Sequence, residues 1–214
     1  MSRAVIALDV DGTLLDCRVR QVAVARATAP AAFDERAFWS AKRTGAATEA
    51  ALIAAGLARE AAHQAAEAWG GVIEDDEWLA LDALLPSALT ALDALDADRR
   101  PVALLTARRR PEAVRRQLDR LGVLARVDTL VVVDPVRPAA AKADHLRRLG
   151  ARAFVGDTES DAAAAVRAGV PFVAVASGQR SRSFLEAQGI APVRADVGEA
   201  VAALVGAYPA SATT

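Results

Sequence analysis

The sequence is poor in cysteine: Cys17 is the single one among 214 residues. An intrachain disulfide is therefore impossible, and the small disulfide-stabilised domains of secreted proteins are excluded as a class. A chain without disulfides suits a reducing compartment, and we expect it to work in the cytoplasm.

An excess of positive or of negative charge is also lacking. The 26 lysines and arginines are balanced by 27 aspartates and glutamates, which leaves a net charge of -1. A chain without a general positive field is not drawn to the phosphate backbone of nucleic acids, so we expect no nucleic-acid partner. Three consecutive arginines at residues 108–110 do not change this expectation, because the run is short and solvated faces commonly look like this.

The third absence is a long hydrophobic run. No uninterrupted apolar stretch approaches the roughly 20 residues that a membrane-spanning helix needs. The apolar residues 4–8 are too few for the core of a signal peptide and end at Asp9, so we expect neither a signal peptide nor a membrane segment. What remains, 53% hydrophobic and 25% charged residues, is typical of a folded globular protein.

Five short apolar runs predict buried strands. They cover residues 4–10, 102–105, 129–133, 153–155 and 171–175. Apolar runs without alternation are typical of parallel strands that are covered on both faces. Segments with helical features separate the last four runs, at residues 111–121, 139–149 and 161–168. This alternation predicts an α/β fold with a doubly wound parallel sheet.

One long interval, residues 16–82, contains no strand-like run. Helices are predicted there at residues 19–29, 35–43, 48–55 and 59–73. We interpret this interval as an all-helical domain inserted after the first strand. Residues 1–15 and 83–214 then form the α/β core, and the small polar tail at 207–214 is expected to fray.

Acidic residues stand at two of the predicted strand ends. Asp9 and Asp11 close the first strand and precede Gly12, whereas Asp157 and Asp161 follow the fourth. The carboxyl ends of parallel strands meet at one edge of the sheet, where ligands bind. Converging carboxylates are unstable unless they are protonated or neutralised by a cation. Oxygen ligands alone favour a hard cation, and we expect Mg²⁺.

Two further polar residues suit a phosphate. Thr106 follows the second strand and offers a hydroxyl, and Lys142 on a predicted helix offers an ammonium. A metal, an ammonium and a hydroxyl around an aspartate nucleophile are the parts that phosphoryl transfer needs. Structural explanations stay open: a helix N-cap for Thr106, a solvated helix face for Lys142 and a helix-start carboxylate for Asp161.

These residues resemble the four motifs of the haloacid dehalogenase-like superfamily, in order and in spacing. The matching stretches are Asp9-Val10-Asp11-Gly12-Thr13, then Leu104-Leu105-Thr106, then Lys142, and finally Gly156-Asp157-Thr158-Glu159-Ser160-Asp161. One departure is that Lys142 lies in Ala140-Ala141-Lys142-Ala143 and not beside a proline. Four motifs in order, over nearly the whole chain, make the resemblance very specific.

The resemblance implies roles for these residues. Asp9 would be phosphorylated, and Asp11 would protonate the leaving group and then activate water. Mg²⁺ would be held by Asp9, Asp157 and Asp161, together with the backbone carbonyl of Asp11. Thr106 and Lys142 would bind the phosphate.

The helical insertion is similar to the cap of phosphoglycolate-phosphatase-like members of this family, which closes over the site and selects the substrate. Lys42 and Arg43 in the insertion, and Arg108 after the second strand, are candidates for substrate binding, although packing and solvation also explain them.

The resulting hypothesis is a phosphohydrolase acting on a small phosphorylated metabolite. The same residues would serve phosphoryl transfer to a sugar, and a non-catalytic ligand-binding protein on this fold is a further alternative. Dehalogenase action is disfavoured, because that branch of the family lacks the second aspartate of the first motif. The oligomeric state is not predictable from these features.

Overall fold

The computed structural model describes residues 5–207. The first residue of the predicted first strand, residue 4, and the tail at 208–214 lie outside the described residues. Six parallel strands form the main sheet. They are β1 Val5–Leu8, β4 Val102–Ala107, β5 Thr129–Val133, β6 Ala151–Gly156, β7 Phe172–Val175 and β8 Val193–Arg194. Their order across the sheet is β5-β4-β1-β6-β7-β8.

Helices cover both faces of this sheet. They are α6 Ala88–Ala97, α7 Pro111–Arg120, α8 Pro138–Leu149, α9 Glu159–Ala168, α10 Arg182–Ala187 and α11 Val197–Ala207, and a single 3-10 turn covers Leu124–Arg126. Alternate strand residues point to opposite faces. Ile6 and Leu8 pack with α6, α7 and α11, whereas Ala7 packs with α8 and α9. The predicted doubly wound α/β fold is therefore confirmed.

The five predicted strands are all present, with shifted ends. β1 stops at Leu8 instead of residue 10, because the chain turns at Gly12, which has φ +78°. Strand β8 and helices α6, α10 and α11 are not among the predictions. A two-residue strand and a six-residue helix leave too short a pattern to recognise.

The insertion is helical apart from its two edges. Its helices are α1 Arg18–Thr28, α2 Glu35–Arg43, α3 Thr48–Ala54, α4 Arg59–Val72 and the short α5 Asp76–Leu79. Where the chain enters and leaves this region, β2 Leu15–Asp16 and β3 Ala83–Leu84 pair antiparallel. The first four helices match the predicted ones within two residues, whereas α5 and the two-stranded ribbon were not predicted.

The inserted helices have a hydrophobic cluster of their own. Phe38, Leu52 and Leu57 are buried there among alanines of α1, α3 and α4. No residue of this cluster belongs to the cluster under the main sheet, and we refer to residues 16–82 as the cap. Its status as a separate domain stays a prediction. Within residues 5–207, no helix is both long and apolar enough to cross a membrane.

Candidate active site

The site begins where β1 ends. Asp9 follows the strand directly, its backbone N–H donates to the carbonyl of Val155 in β6 at 2.8 Å, and the residue is 6% exposed. A Cβ atom added to Gly12 would lie 2.2 Å from Oδ2 of Asp157. Only a glycine therefore lets the turn after β1 approach the carboxylate that follows β6.

Lys142 on α8 joins two of the predicted acids. Its ammonium donates to Oδ1 of Asp9 at 2.7 Å and to Oδ1 of Asp161 at 2.6 Å, and the side chain is almost completely buried. No described residue donates a hydrogen bond to Oδ2 of Asp9, which leaves that oxygen free. The structural alternative of a solvated helix face is therefore excluded for Lys142.

Asp157 and Asp161 complete what we call the acidic cluster, Asp9, Asp157 and Asp161. One carboxylate oxygen from each lies within 4.8 Å of the other two. Oδ2 of Asp157 accepts from the backbone N–H of Gln179 at 2.6 Å, whereas Oδ1 is buried without a hydrogen-bond partner. Asp161 also forms a capping box with Thr158, so its helix-start role coexists with the bond to Lys142.

The acidic cluster holds more negative charge than its surroundings neutralise. Burial raises the pKa of Asp9 to about 7, against the opposing charge of Lys142. Burial, together with the charges of Asp9 and Asp161, raises the pKa of Asp157 well above its usual value. Burial alone would lower the pKa of Lys142, but Asp161 and Asp9 outweigh it and hold that pKa above its usual value. Three carboxylates thus face one ammonium, an arrangement that a cation would stabilise.

The side chain of Asp11 lies outside the acidic cluster. Oδ1 accepts from Nη2 of Arg20 at 3.0 Å and from Nη2 of Arg108 at 2.5 Å, and Oδ2 accepts from Nε of Arg108 at 2.6 Å. We call Asp11, Arg20 and Arg108 the Asp11 clamp. Burial raises the pKa of Asp11, but the guanidinium groups of Arg108 and Arg20 outweigh it and hold the pKa below its usual value.

Thr106 lies in β4, one strand away from Asp9, and is 1% exposed. It lies inside the strand, four residues before the N-cap of α7 at Arg110, so it does not cap that helix. No described residue is hydrogen-bonded to its hydroxyl. The group is therefore available to a ligand.

The three substrate-binding candidates have different surroundings. Arg108 is 5% exposed. Two of its nitrogens donate hydrogen bonds to Asp11, and the third, Nη1, is buried without a partner. Lys42 is 7% exposed, lies 3.3 Å from Oγ1 of Thr48, and has no carboxylate partner among the described residues. Arg43 donates to the backbone carbonyls of Gly178 and Ala176, so it docks the cap on the core.

A second docking contact lies at the arginine run. The Glu74 carboxylate of the cap accepts from the backbone N–H groups of Arg109 and Arg110 at the start of α7, at 2.9–3.1 Å. The side chains of both arginines donate to backbone carbonyls of Gly70 and Gly71 in α4. Arg109 and Arg110 therefore join core to cap, and the run 108–110 is not simply a solvated face.

Sequence reasoning missed several residues around the site. They are Arg20, Glu74, Asp82 and Gln179. Arg20 left a faint signal, because it precedes the buried Val24 by one helical turn and so lies on the apolar stripe of α1. The others lie on loops or at element ends, where spacing carries no information.

A family model for haloacid dehalogenase-like hydrolases matches residues 4–169, well over half of the chain. The chain belongs to the haloacid dehalogenase-like hydrolase family. A search of the curated proteins gave no match.

Several solved structures have the same fold as this chain. A haloacid dehalogenase-like family hydrolase from Streptococcus pneumoniae is 18% identical with a TM-score of 0.73, over 94% of this chain and 98% of that one. A predicted phosphatase from Clostridium acetobutylicum is 14% identical with a TM-score of 0.75, over 96% and 100%. A predicted phosphoglycolate phosphatase from Haemophilus somnus is 19% identical with a TM-score of 0.69, over 95% and 99%. At these identities the likeness concerns the fold.

Three chain segments, at Gly12, Asp157 and Gly178, approach one another closely at the acidic cluster, and substitution of Gly178 tests whether this close approach is required. A Cβ added to Gly178 would lie 2.1 Å from Oδ2 of Asp157 and 2.5 Å from the Cα of Gly12. We expect Gly178→Ala to lower the free energy of unfolding by about 1–3 kcal/mol, the usual cost of overpacking. It should also lower catalytic activity, because the Asp157 side chain must shift. Urea unfolding and a phosphatase assay measure the two effects.

The matched control is Gly71→Ala on α4. A Cβ there meets nothing within 4 Å, and alanine is favoured over glycine in a helix by up to about 1 kcal/mol. Equal stability of the two variants would show that the loop at Gly178 adapts and that the close approach is not required.

Proposed function

We propose that this hydrolase is a Mg²⁺-dependent phosphatase that removes phosphate from a small phosphorylated metabolite through a phospho-aspartate on Asp9. The observation that carries the proposal is the buried Asp9, with one oxygen held by Lys142 and the other free, beside the unpartnered Oδ1 of Asp157. Family membership supports hydrolysis, and the phosphatase names of the structural neighbours in Clostridium acetobutylicum and Haemophilus somnus favour a phosphate ester.

The donor set fits Mg²⁺. It contains carboxylate oxygens only, one of them the buried Oδ1 of Asp157 without a partner. Asp157 would bind the ion through its free Oδ1, and Asp9 would bind it through the oxygen that does not attack phosphorus. Asp161, whose oxygens already accept from Lys142 and Thr158, would contribute mainly its charge. The backbone carbonyl of Asp11 remains our further proposed ligand. Bound there, Mg²⁺ would neutralise the cluster and stabilise negative charge on the phosphoryl oxygens.

Asp9 would act as the nucleophile. Its free oxygen forms a bond to phosphorus while the bond from phosphorus to the leaving oxygen breaks. The ammonium of Lys142 and the hydroxyl of Thr106 would bind phosphoryl oxygens, since both lie at the same sheet edge. Water then attacks the phospho-aspartate, phosphate leaves, and Asp9 is restored.

Asp11 would move the protons. In the second step its carboxylate takes a proton from the attacking water, and the clamp keeps it ionised for that purpose. In the first step it would donate a proton to the leaving oxygen. A substrate oxygen that binds Arg108 would compete with Asp11 for the guanidinium and so weaken the charge that opposes protonation.

The cap would select the substrate. Asp9, Thr106 and Lys142 are each at most 6% exposed, so a substrate reaches them only when the cap moves. Surface hollows of about 300 Å³ at Glu74 and of about 400 Å³ at Phe33 are lined by none of the proposed site residues. We propose residues 16–82 as a mobile cap domain, Arg108 and Lys42 as donors to the leaving group, and the cytoplasm as the place of action.

The nucleophile is tested with Asp9→Asn. The amide keeps the shape but cannot attack phosphorus, so kcat should fall on the order of 10³-fold or more. Because the buried charge of Asp9 is unfavourable, its removal should leave the melting temperature unchanged or raised. Hydrolysis and thermal melting are measured on the same purified sample. Substantial turnover by the folded variant would remove Asp9 from the nucleophile role.

The metal is tested through its coupling to pH. The folded-state pKa of Asp9 lies near 7, above its usual value of 3.8, so the folded state retains this proton from about pH 4 to 7 while the unfolded state loses it. This group therefore lowers the stability of the metal-free protein as pH rises through that range. Mg²⁺ binds the deprotonated form, so its stabilising effect should increase as pH rises through about 7.

Thermal melting with and without Mg²⁺ at several pH values measures this effect. Asp157→Asn should abolish the Mg²⁺-dependent shift, whereas Asp144→Asn on the exposed face of α8 should retain it. Activity that survives exhaustive chelation, or a shift that Asp157→Asn leaves intact, would contradict the metal assignment.

The cap candidates are tested as a pair. Lys42→Ala removes a buried cation without a carboxylate partner, so KM for the preferred substrate should rise about tenfold, the size expected for one hydrogen bond to a charged group. A small generic phosphate ester should be little affected. Arg43→Ala loosens the docking on Gly178 and should impair both substrates. Arg36→Ala, on an exposed position of the same helix, is the control, and equal losses on both substrates for Lys42→Ala would make Lys42 structural.

A further inference from the structure

Asp11 is held from two parts of the chain that need not move together. Arg108 belongs to the loop after β4 in the core and forms a two-pronged contact with both oxygens of Asp11. Arg20 belongs to α1 in the cap and reaches Oδ1 at 3.0 Å. One guanidinium from the core therefore contacts both oxygens of Asp11, and one from the cap contacts Oδ1.

The position of Arg20 is itself determined by other segments. Its Nε donates to Oδ1 of Asp82 at 2.9 Å, and its Nη1 donates to the carbonyl of Ile73, after α4, at 3.2 Å. Oδ2 of Asp82, just before β3, accepts from Nε2 of Gln117 in the core helix α7 at 2.7 Å. Arg20, Asp82 and Gln117 are at most 5% exposed, so water does not replace these contacts.

We propose that Arg20 is a positioning residue that makes the orientation of Asp11 depend on the docking of the cap. The inference rests on the proposed function of Asp11 as the proton-transferring group. Arg20 acts through Asp11: with the cap in place it fixes Oδ1, and with α1 displaced it leaves Asp11 to Arg108 alone. Proton transfer to the leaving oxygen would then be well aligned only in the closed enzyme.

The variant Arg20→Gln tests this with two substrates. An alkyl phosphate such as glycerol phosphate needs a proton on its leaving oxygen, whereas p-nitrophenyl phosphate needs little. The rate of Asp9 phosphorylation is followed by rapid quench with acid, because complete turnover of either ester also uses Asp11 in the second step. We expect a loss of roughly 10²-fold on the alkyl ester, the effect of a misplaced catalytic group, and a much smaller loss on the aryl ester.

Two further variants keep the result interpretable. Arg20→Gln leaves the buried Asp82 without its guanidinium and threatens folding, so Arg20→Gln/Asp82→Asn provides an uncharged pair that should show the same selective loss. Arg26→Gln on the exposed end of α1, where Arg26 pairs with Glu35, is the control and should change neither rate.

Asp11→Asn, measured in parallel, separates the possible failures. If Asp11→Asn slows the alkyl ester selectively and Arg20→Gln slows both esters equally with a lower melting temperature, Arg20 is structural and the inference is overturned. A further loss when Arg20→Gln is added to Asp11→Asn also overturns it, since Arg20 would then act by another route. If Asp11→Asn slows both esters equally, the acid role in the proposed function fails and the inference falls with it.

Discussion

The ammonium of Lys142, shared between Asp9 and Asp161, is the interaction on which the rest of the site depends. It lets two carboxylates remain close together in a buried position, where their mutual repulsion would otherwise separate them. It also occupies one oxygen of Asp9 and so decides which oxygen is left for a substrate. A single cation cannot balance three carboxylates, however, and this residual charge makes the cluster a place for a metal ion.

A second set of charges surrounds the junction between cap and core. Arginines of the core loop after β4 bind cap backbone and carboxylates, and Arg43 of the cap binds backbone carbonyls beside Asp157. The bonds of Arg43 are partly buried, whereas those of the Arg109 and Arg110 side chains are exposed, so water weakens the second group more. The closed position of the cap is thus specified by polar contacts, whereas each of the two parts is held together by its own hydrophobic cluster. Such a division allows the parts to separate without exposing either core.

The two roles that we propose for Asp11 make opposite demands on its environment. As a base it should be ionised, and the clamp ensures this. As an acid it should carry a proton, which requires that Arg108 or Arg20 release it for part of the cycle. The buried Nη1 of Arg108, which has no partner in the described structure, shows that this guanidinium has capacity for one more acceptor. In the proposed mechanism, substrate binding and proton transfer would in this way be linked through the Arg108 side chain.

Much of the fold and of the candidate site could be predicted from the sequence, because the relevant signals are local. Apolar runs ending at Asp11-Gly12, Thr106 and Gly156-Asp157 predicted the sheet, its edge and the acids there, since parallel strands place their carboxyl ends together. The partners of those acids could not be read in this way. Arg20 and Asp82 are 62 residues apart, and Arg108 meets Asp11 across 97, separations over which spacing carries no signal. The sequence by itself determined which groups gather at the sheet edge. The tertiary structure decided that the Asp11 side chain contacts two arginines and not the acidic cluster, because only folding brings Arg108 of the core loop and Arg20 of the docked cap within its reach.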